Sequence, residues 1–336
     1  MQPGHHAMTH QNGLTSMDSI AVSTIPRTPS GVILEKPFRL LTTAAALTVV
    51  GALVGLLIVL AIDATPAIRQ FGFSFLVSSA WNPVTEMFGA VPATVGTLIT
   101  AGIAMLIGTP VAFGVAIFIN EICPHRLRDP LSIAIELLAA VPSIIYGMWG
   151  LFVLAPFLGS TVYPFLITYL GPIPVLGALF QGPPYGIGML TASLILSIMV
   201  LPFIASVSIR VMSGVPAVVR EAAYGLGATP WEVARSVLLP HCRKGLIGGV
   251  MLGLGRALGE TMAVTFVIGN SHKIATSLLQ PGTTISATLA NEFTEATGDI
   301  YLSSLVALGL ILFVITFIVL LFAQMMLAQA NRRGAQ

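Results

Sequence analysis

Charge is scarce in this chain. Asp, Glu, Lys and Arg make up 8% of its 336 residues, where soluble domains carry about 25%. That excludes an ordinary soluble domain, whose surface needs charge to stay in water. A nucleic-acid binder is excluded too, because the formal net charge is only +2 and no basic stripe exists to neutralise phosphates. Cysteine is scarcer still. Cys123 and Cys242 stand alone, which leaves no disulfide framework and no metal-ligand spacing. Both fall in polar connections and read as free thiols of a reducing compartment. Also missing is any G-x-x-x-x-G-K-[ST] phosphate loop, so the chain does not bind and hydrolyse ATP in that manner.

What the chain has is apolar length. Hydrophobic residues make up 55% of it, and the mean hydropathy is +0.92. Six runs of spanning length fall near 38–62, 92–119, 131–158, 186–211, 245–269 and 300–328. About 20 residues suffice to cross a hydrocarbon core of ~30 Å. Backbone groups in lipid have no water to bond, so runs like these are helices. The fold class is therefore an all-α integral membrane protein with six transmembrane helices.

Basic residues set the orientation. Arg27, Lys36, Arg39, Arg126, Arg128, Arg210, Arg220, Arg235, Arg243, Lys244, Arg332 and Arg333 flank the spans on one side, and only Arg69 and Lys273 on the other. Positive charge stays inside, so both termini are expected in the cytoplasm. Residues 1–35 are polar and rich in Ser, Thr, Gly and Pro, with His5, His6 and His10. They read as a disordered cytoplasmic tail, followed by a six-helix transmembrane domain over 36–330 and a short cytoplasmic tail over 331–336. No cleaved leader is expected, because the first apolar run is longer than the roughly 7–15 residues of a signal core. On the outer side, residues 63–91 predict a short interfacial helix with Phe71, Phe73, Phe75 and Trp81. The proline-rich stretch 159–185 predicts an extended linker. Pro110, Pro142 and Pro202 predict kinks or breaks within spans.

The fifth run carries charge at membrane depth. On a helical wheel Gly245, Gly249, Gly253, Arg256, Glu260 and Ala263 share one face, while Ile247, Met251, Leu254 and Leu258 share the opposite one. Gly248, Gly255 and Gly259 form a second thin row. An arginine at the bilayer centre costs roughly 2.5–3.5 kcal/mol or more, and by default marks a polar pathway. Two readings stand side by side: a pathway wall with room around two charges, or an i, i+4 ion pair that only neutralises itself. Glu136 reads as a snorkelling or anchoring acid near the start of the third span. Ser143 and Tyr146 offer hydroxyls. Glu292, Glu295 and Asp299 are expected to cap the sixth span or face an external partner.

The inner connection 212–244 is the most specific stretch. It reads REAAYGLGATPWEVARSVLLP, with Glu221-Ala222-Ala223, then Gly227, then Val237-Leu238-Leu239-Pro240. Two short helices joined at Gly225–Gly227 are predicted, with Thr229 capping the second, Pro230 at its first position and Glu232 completing a capping box. This pattern resembles the EAA loop of ABC-type import permeases, with Val in place of the usual Ile. Further stretches, GLGRALGETMAV, FVIGN, IELLAAVPSIIYG and ATLANEF, resemble the phosphate-specific import permeases of the PstC type. The resemblance covers all six spans and the coupling loop.

It implies a type I ABC importer permease fold in a bacterial inner membrane. It implies phosphate as cargo met by Arg256, with Glu260 as counter-ion, and ATPase coupling through Glu221, Ala222, Ala223, Gly227, Leu239 and Pro240. The implied partners are a second permease of the PstA type, a dimeric ATPase and an extracytoplasmic phosphate-binding protein. ATP and Mg would sit on the ATPase, with no cofactor on this chain. A permease for another oxyanion such as sulfate or molybdate, a proton-coupled carrier, and a phosphate sensor that moves nothing are the alternative readings.

Overall fold

The computed structural model describes residues 29–174 and 177–333. The tail bearing His5, His6 and His10, and the last three residues, lie outside this range. The chain divides into two units, residues 1–56 and 57–336. In the first, the described residues form part of one helix, α1 (Pro29–Asp63), which carries no charge from Leu40 to Ile62.

The second unit is built from α4 (Val91–Ile122), α6 (Ser143–Leu170), α7 (Met189–Ser213) and α12 (Asp299–Arg333), with shorter helices between them. These are α2 (Thr65–Phe71), α3 (Ser74–Val77), α5 (His125–Ala139), α8 (Ala217–Gly225), α9 (Pro230–Leu258), α10 (Met262–Ile268) and α11 (Ile285–Glu292). Among the described residues there is no strand beyond an isolated bridge between Asn82 and Met87. Among the described residues five helices are long and apolar enough to cross a membrane, and α9 with α10, bent by 56°, would make a sixth.

Small residues bring α4 and α7 together. Along α4, Ala93, Gly96, Thr97, Thr100, Ala101, Ala104, Gly108, Ala112 and Ala116 are buried, a spacing that lets backbones approach closely. A Cβ on Gly108 would stand 3.2 Å from the Ser197 carbonyl oxygen of α7. The buried residues Ala192, Ile195, Leu196, Met199, Val200 and Ile204 of α7 then join Ala257, Leu258, Val264 and Val267 in the central core.

Prolines explain the helical irregularities. Four π turns occur among the described residues, at Phe118–Ile122, Gly150–Leu154, Leu158–Val162 and Ala234–Leu238. Each ends two residues before a proline: Pro124, Pro156, Pro164 and Pro240. Proline lacks an N–H and its ring collides with the carbonyl four residues back. A wider turn just ahead of it relieves that collision without ending the helix.

Two expectations change. The third apolar run is not one helix over 131–158, because Pro142 breaks it. The amphipathic α5 before the break buries no side chain, and the spanning helix runs later, from Ser143 to Leu170. The stretch 159–185 is accordingly helical as far as Leu170 rather than extended. By contrast, Pro110 and Pro202 sit within continuous helices.

Candidate functional site

Arg256 and Glu260 do not lie on one continuous helix. Helix α9 ends at Leu258 and α10 starts at Met262, so Arg256 stands in the last turn of α9 and Glu260 in the break that follows it. The negative end of the helix dipole favours a cation at the position of Arg256. Its guanidinium carbon is 6.0 Å from the ring centroid of Phe203 on α7, within cation–π range. Glu260 is 9% exposed, and its Oε1 accepts the Ala263 N–H at 3.3 Å. Standing just before the N-cap residue Thr261, it thus satisfies one N–H of the first turn of α10, the end of a helix that favours an anion. Among the described residues the ion pairs are Arg210–Glu136, Arg220–Glu121 and His272–Glu292. Each charge of the fifth run is therefore matched to a helix end, not to the other.

The glycine row is a packing seam. A Cβ on Gly245, Gly249 or Gly253 would stand 2.5, 3.0 or 2.6 Å from Val211, Val207 or Ile204 of α7. The second row is the open one, with no neighbour within 4 Å of a Cβ on Gly248. Beside the bend lies a cavity of about 550 Å³, lined by Gly259, Thr261, Met262, Ser286 and Phe293 among others. Tyr146 is not a free hydroxyl, since it donates to the Leu138 carbonyl at 3.0 Å and ties α6 to the end of α5. Glu136 pairs with Arg210 at 3.4 Å, with both side chains about half exposed or more.

In the loop 212–244 the first short helix and the turn at Gly225–Gly227 form as predicted, but the second helix is not short: it is the start of α9, which runs on to Leu258. Thr229 and Glu232 form the reciprocal capping box, with the Thr229 N–H donating to Glu232 Oε2 at 2.8 Å. Gly227 takes φ +86° at the turn, a conformation that costs any residue with a Cβ. Glu221, Ala222 and Gly227 are exposed, Ala223 and Leu239 are half-buried, and Pro240 is exposed on the first turns of α9. Large apolar side chains point outward: Leu226 is 91% exposed, Val218 75% and Trp231 62%.

Two clusters escaped the reading of the sequence. On one side of the molecule Glu292 accepts hydrogen bonds from Trp81 Nε1 at 2.8 Å and the Tyr301 hydroxyl at 2.7 Å, and pairs with His272. His272 also stacks on Trp81, with centroids 5.4 Å apart. Burial raises the Glu292 carboxyl, but the bonds and charge of His272, with those from Tyr301 and Trp81, outweigh it and hold the group below the ordinary carboxylate range. Glu292 thus binds the 63–91 segment to α11 and to the first turn of α12. At the opposite end, Glu121 in the π turn that ends α4 pairs with Arg220 at 3.5 Å and accepts the Tyr224 hydroxyl at 2.6 Å. Partial burial and the Glu121 carboxylate push the Tyr224 phenol up to about 12, so it remains a donor. The only signal in the sequence was an acid two residues past an apolar run.

Comparison with known proteins adds the following. The family model for the binding-protein-dependent transport system inner membrane component matches residues 108–332. The phosphate transport system permease protein PstC of Mesorhizobium japonicum is 60% identical over 296 residues, covering 88% of this chain and 90% of that protein. The PstC protein of Haemophilus influenzae is 53% identical over 299 residues, covering 89% and 95%. In fold, the chain is similar to one from a bacterial alginate ABC transporter crystallised with its pentasaccharide-bound periplasmic protein. The TM-score is 0.56 at 21% identity, covering 87% of this chain and 94% of that one. A chain of the inward-facing MetNI methionine ABC transporter gives 0.52 at 17% identity, covering 76% and 99%.

Proposed function

Taking as premise that this chain belongs to the binding-protein-dependent transport inner membrane components, and among them to the PstC phosphate permeases, we infer that it is the membrane-spanning permease subunit of an ATP-driven phosphate importer. The observation that carries this is 60% identity to a PstC protein across 88% of the chain. The chain is a membrane component rather than a catalyst of hydrolysis. It sits as a multi-pass protein in a bacterial inner membrane. Its bent α9–α10 pair supplies the sixth span, and both termini lie in the cytoplasm, as the basic residues favour.

The permease domain, 36–330, forms half of the pathway, and a PstA-type permease forms the other half. Arg256 meets the cargo. Its guanidinium is a planar fork matched to phosphate oxygens and stays charged at every physiological pH. At 4 Å and an effective dielectric near 20, one such pair attracts by about 4 kcal/mol per unit charge before desolvation. A single arginine leaves half the charge of a dianion uncompensated, which suits a site that must also release its cargo. Glu260 holds the break in place and is the nearby counter-charge, limiting how long the anion stays.

The hairpin couples the chain to an ATPase dimer. Glu221, Ala222, Ala223 and Gly227 present the docking surface beside exposed Leu226 and Trp231, while Leu239 and Pro240 lead the motion into α9. ATP and Mg belong to that ATPase, and this chain needs no cofactor. A soluble phosphate-binding protein delivers cargo to the outer face. ATP binding draws the ATPases together, the hairpin moves, and the path changes the side to which it opens.

The test is phosphate uptake into proteoliposomes holding this chain with its partner subunits, with and without ATP, with sulfate as competitor. Uptake should need ATP, ignore sulfate and fall at least about 10-fold in Arg256→Ala. Uptake driven by a proton gradient alone would overturn the reading.

A further inference from the structure

Helix α8 carries the docking surface, yet none of its residues is buried. Of its apolar residues only Ala223 packs, partly buried, against the core, so apolar packing alone fixes it weakly. What ties it down is polar. Arg220 Nη2 donates to the Met212 carbonyl at 2.6 Å, Arg220 Nη1 pairs with Glu121, and Tyr224 donates to the other oxygen of the same carboxylate. The Glu121 side chain is 3% exposed and that of Arg220 16%. A carboxylate this buried is costly unless paired, and breaking such a pair costs far more than breaking an exposed one.

The π turn that holds Glu121 is also where three other helices meet. The Asn120 side chain donates to the Ile209 carbonyl of α7 at 3.4 Å and to the Ala116 carbonyl of α4 at 2.9 Å. The Asn120 carbonyl accepts Arg128 Nη2 of α5 at 2.6 Å. From here α4 and α7 run together through the small-residue seam, and α7 carries Phe203 beneath Arg256. A displacement of α8 thus reaches α7 through the Met212 carbonyl and the short connection 214–216, and reaches the end of α4 through one buried carboxylate.

We propose that Glu121 is a positioning residue for energy coupling: the pin by which Arg220 and Tyr224 pull the end of α4 when the docked ATPase moves α8. The proposal rests on the importer reading. A merely structural Glu121 would change how much complex assembles, not how much phosphate each ATP moves.

The experiment uses the reconstituted complete complex, with assembly measured by co-purification of the ATPase, and with ATP-driven phosphate uptake and ATP hydrolysis measured in parallel. In Glu121→Gln, which keeps the size but loses the charge, phosphate moved per ATP should fall about 5-fold or more in complexes that still assemble. Tyr224→Phe, which keeps the ion pair and removes one hydrogen bond, should lower the same ratio about 2-fold or more. Should Glu121→Gln fail to assemble, Tyr224→Phe decides. An unchanged ratio in assembled variants overturns the proposal, whether or not both rates fall together. A wild-type complex without ATP-driven uptake overturns the importer reading instead, and this proposal with it.

Discussion

Replacing Gly253 and Gly248 with alanine, one at a time, separates two views of the fifth run. If its glycines line a pathway, neither methyl group should disturb the isolated chain. If Gly253 belongs to a packing seam, its new Cβ would stand 2.6 Å from Ile204 Cγ1 and 3.1 Å from Val200 Cγ1. Ile204 is fully buried, so it has nowhere to turn. Overpacking of this kind costs about 1–3 kcal/mol, from which the roughly 1 kcal/mol that alanine contributes over glycine in a helix is subtracted. Gly253→Ala should therefore lower stability by up to about 2 kcal/mol. Gly248 has open space where its Cβ would lie, so Gly248→Ala should gain about 1 kcal/mol from helix propensity alone. The two variants should differ by about 1–3 kcal/mol in thermal unfolding of the purified chain in detergent. Equal stability, or a more stable Gly253→Ala, would refute the seam.

Thr229→Ala removes the capping box of the hairpin and should cost about 1 kcal/mol locally. Amide exchange at Glu232 should quicken about 5-fold, and unchanged protection there would refute the cap. Glu292 supplies a pH dependence. Its folded value lies below its unfolded one, so its stabilisation is present above the ordinary value of about 4.3 and is lost as pH falls through the folded value. The melting midpoint should drop in that acid window, and drop less in Glu292→Gln, which already lacks the charge. Parallel slopes would refute the assignment.

Much of this was legible in the residues. Apolar length gave the helices, because lipid offers no partner to a bare peptide group. The turn within 212–244 was legible to the level of its cap, because capping depends on residues three apart in sequence. Arg256 and Glu260 stood out because charge in an apolar run is costly wherever it points. Their relation was not legible: a wheel assumes one unbroken helix, and the chain bends by 56° between them.

The sequence alone determined the class, the family wording, the capped turn within 212–244 and the two charges of the fifth run, all local features of composition and spacing. Only tertiary structure decided that the glycine row packs on α7, that Glu260 bonds to the first turn of α10 instead of pairing with Arg256, and that Glu121 holds Arg220 and Tyr224 across about a hundred residues of chain. The glycine and Glu121 contacts join segments remote in sequence and depend on which helix arrives opposite, which no local periodicity encodes; the Glu260 bond to Ala263 is local and follows from the break in the helix.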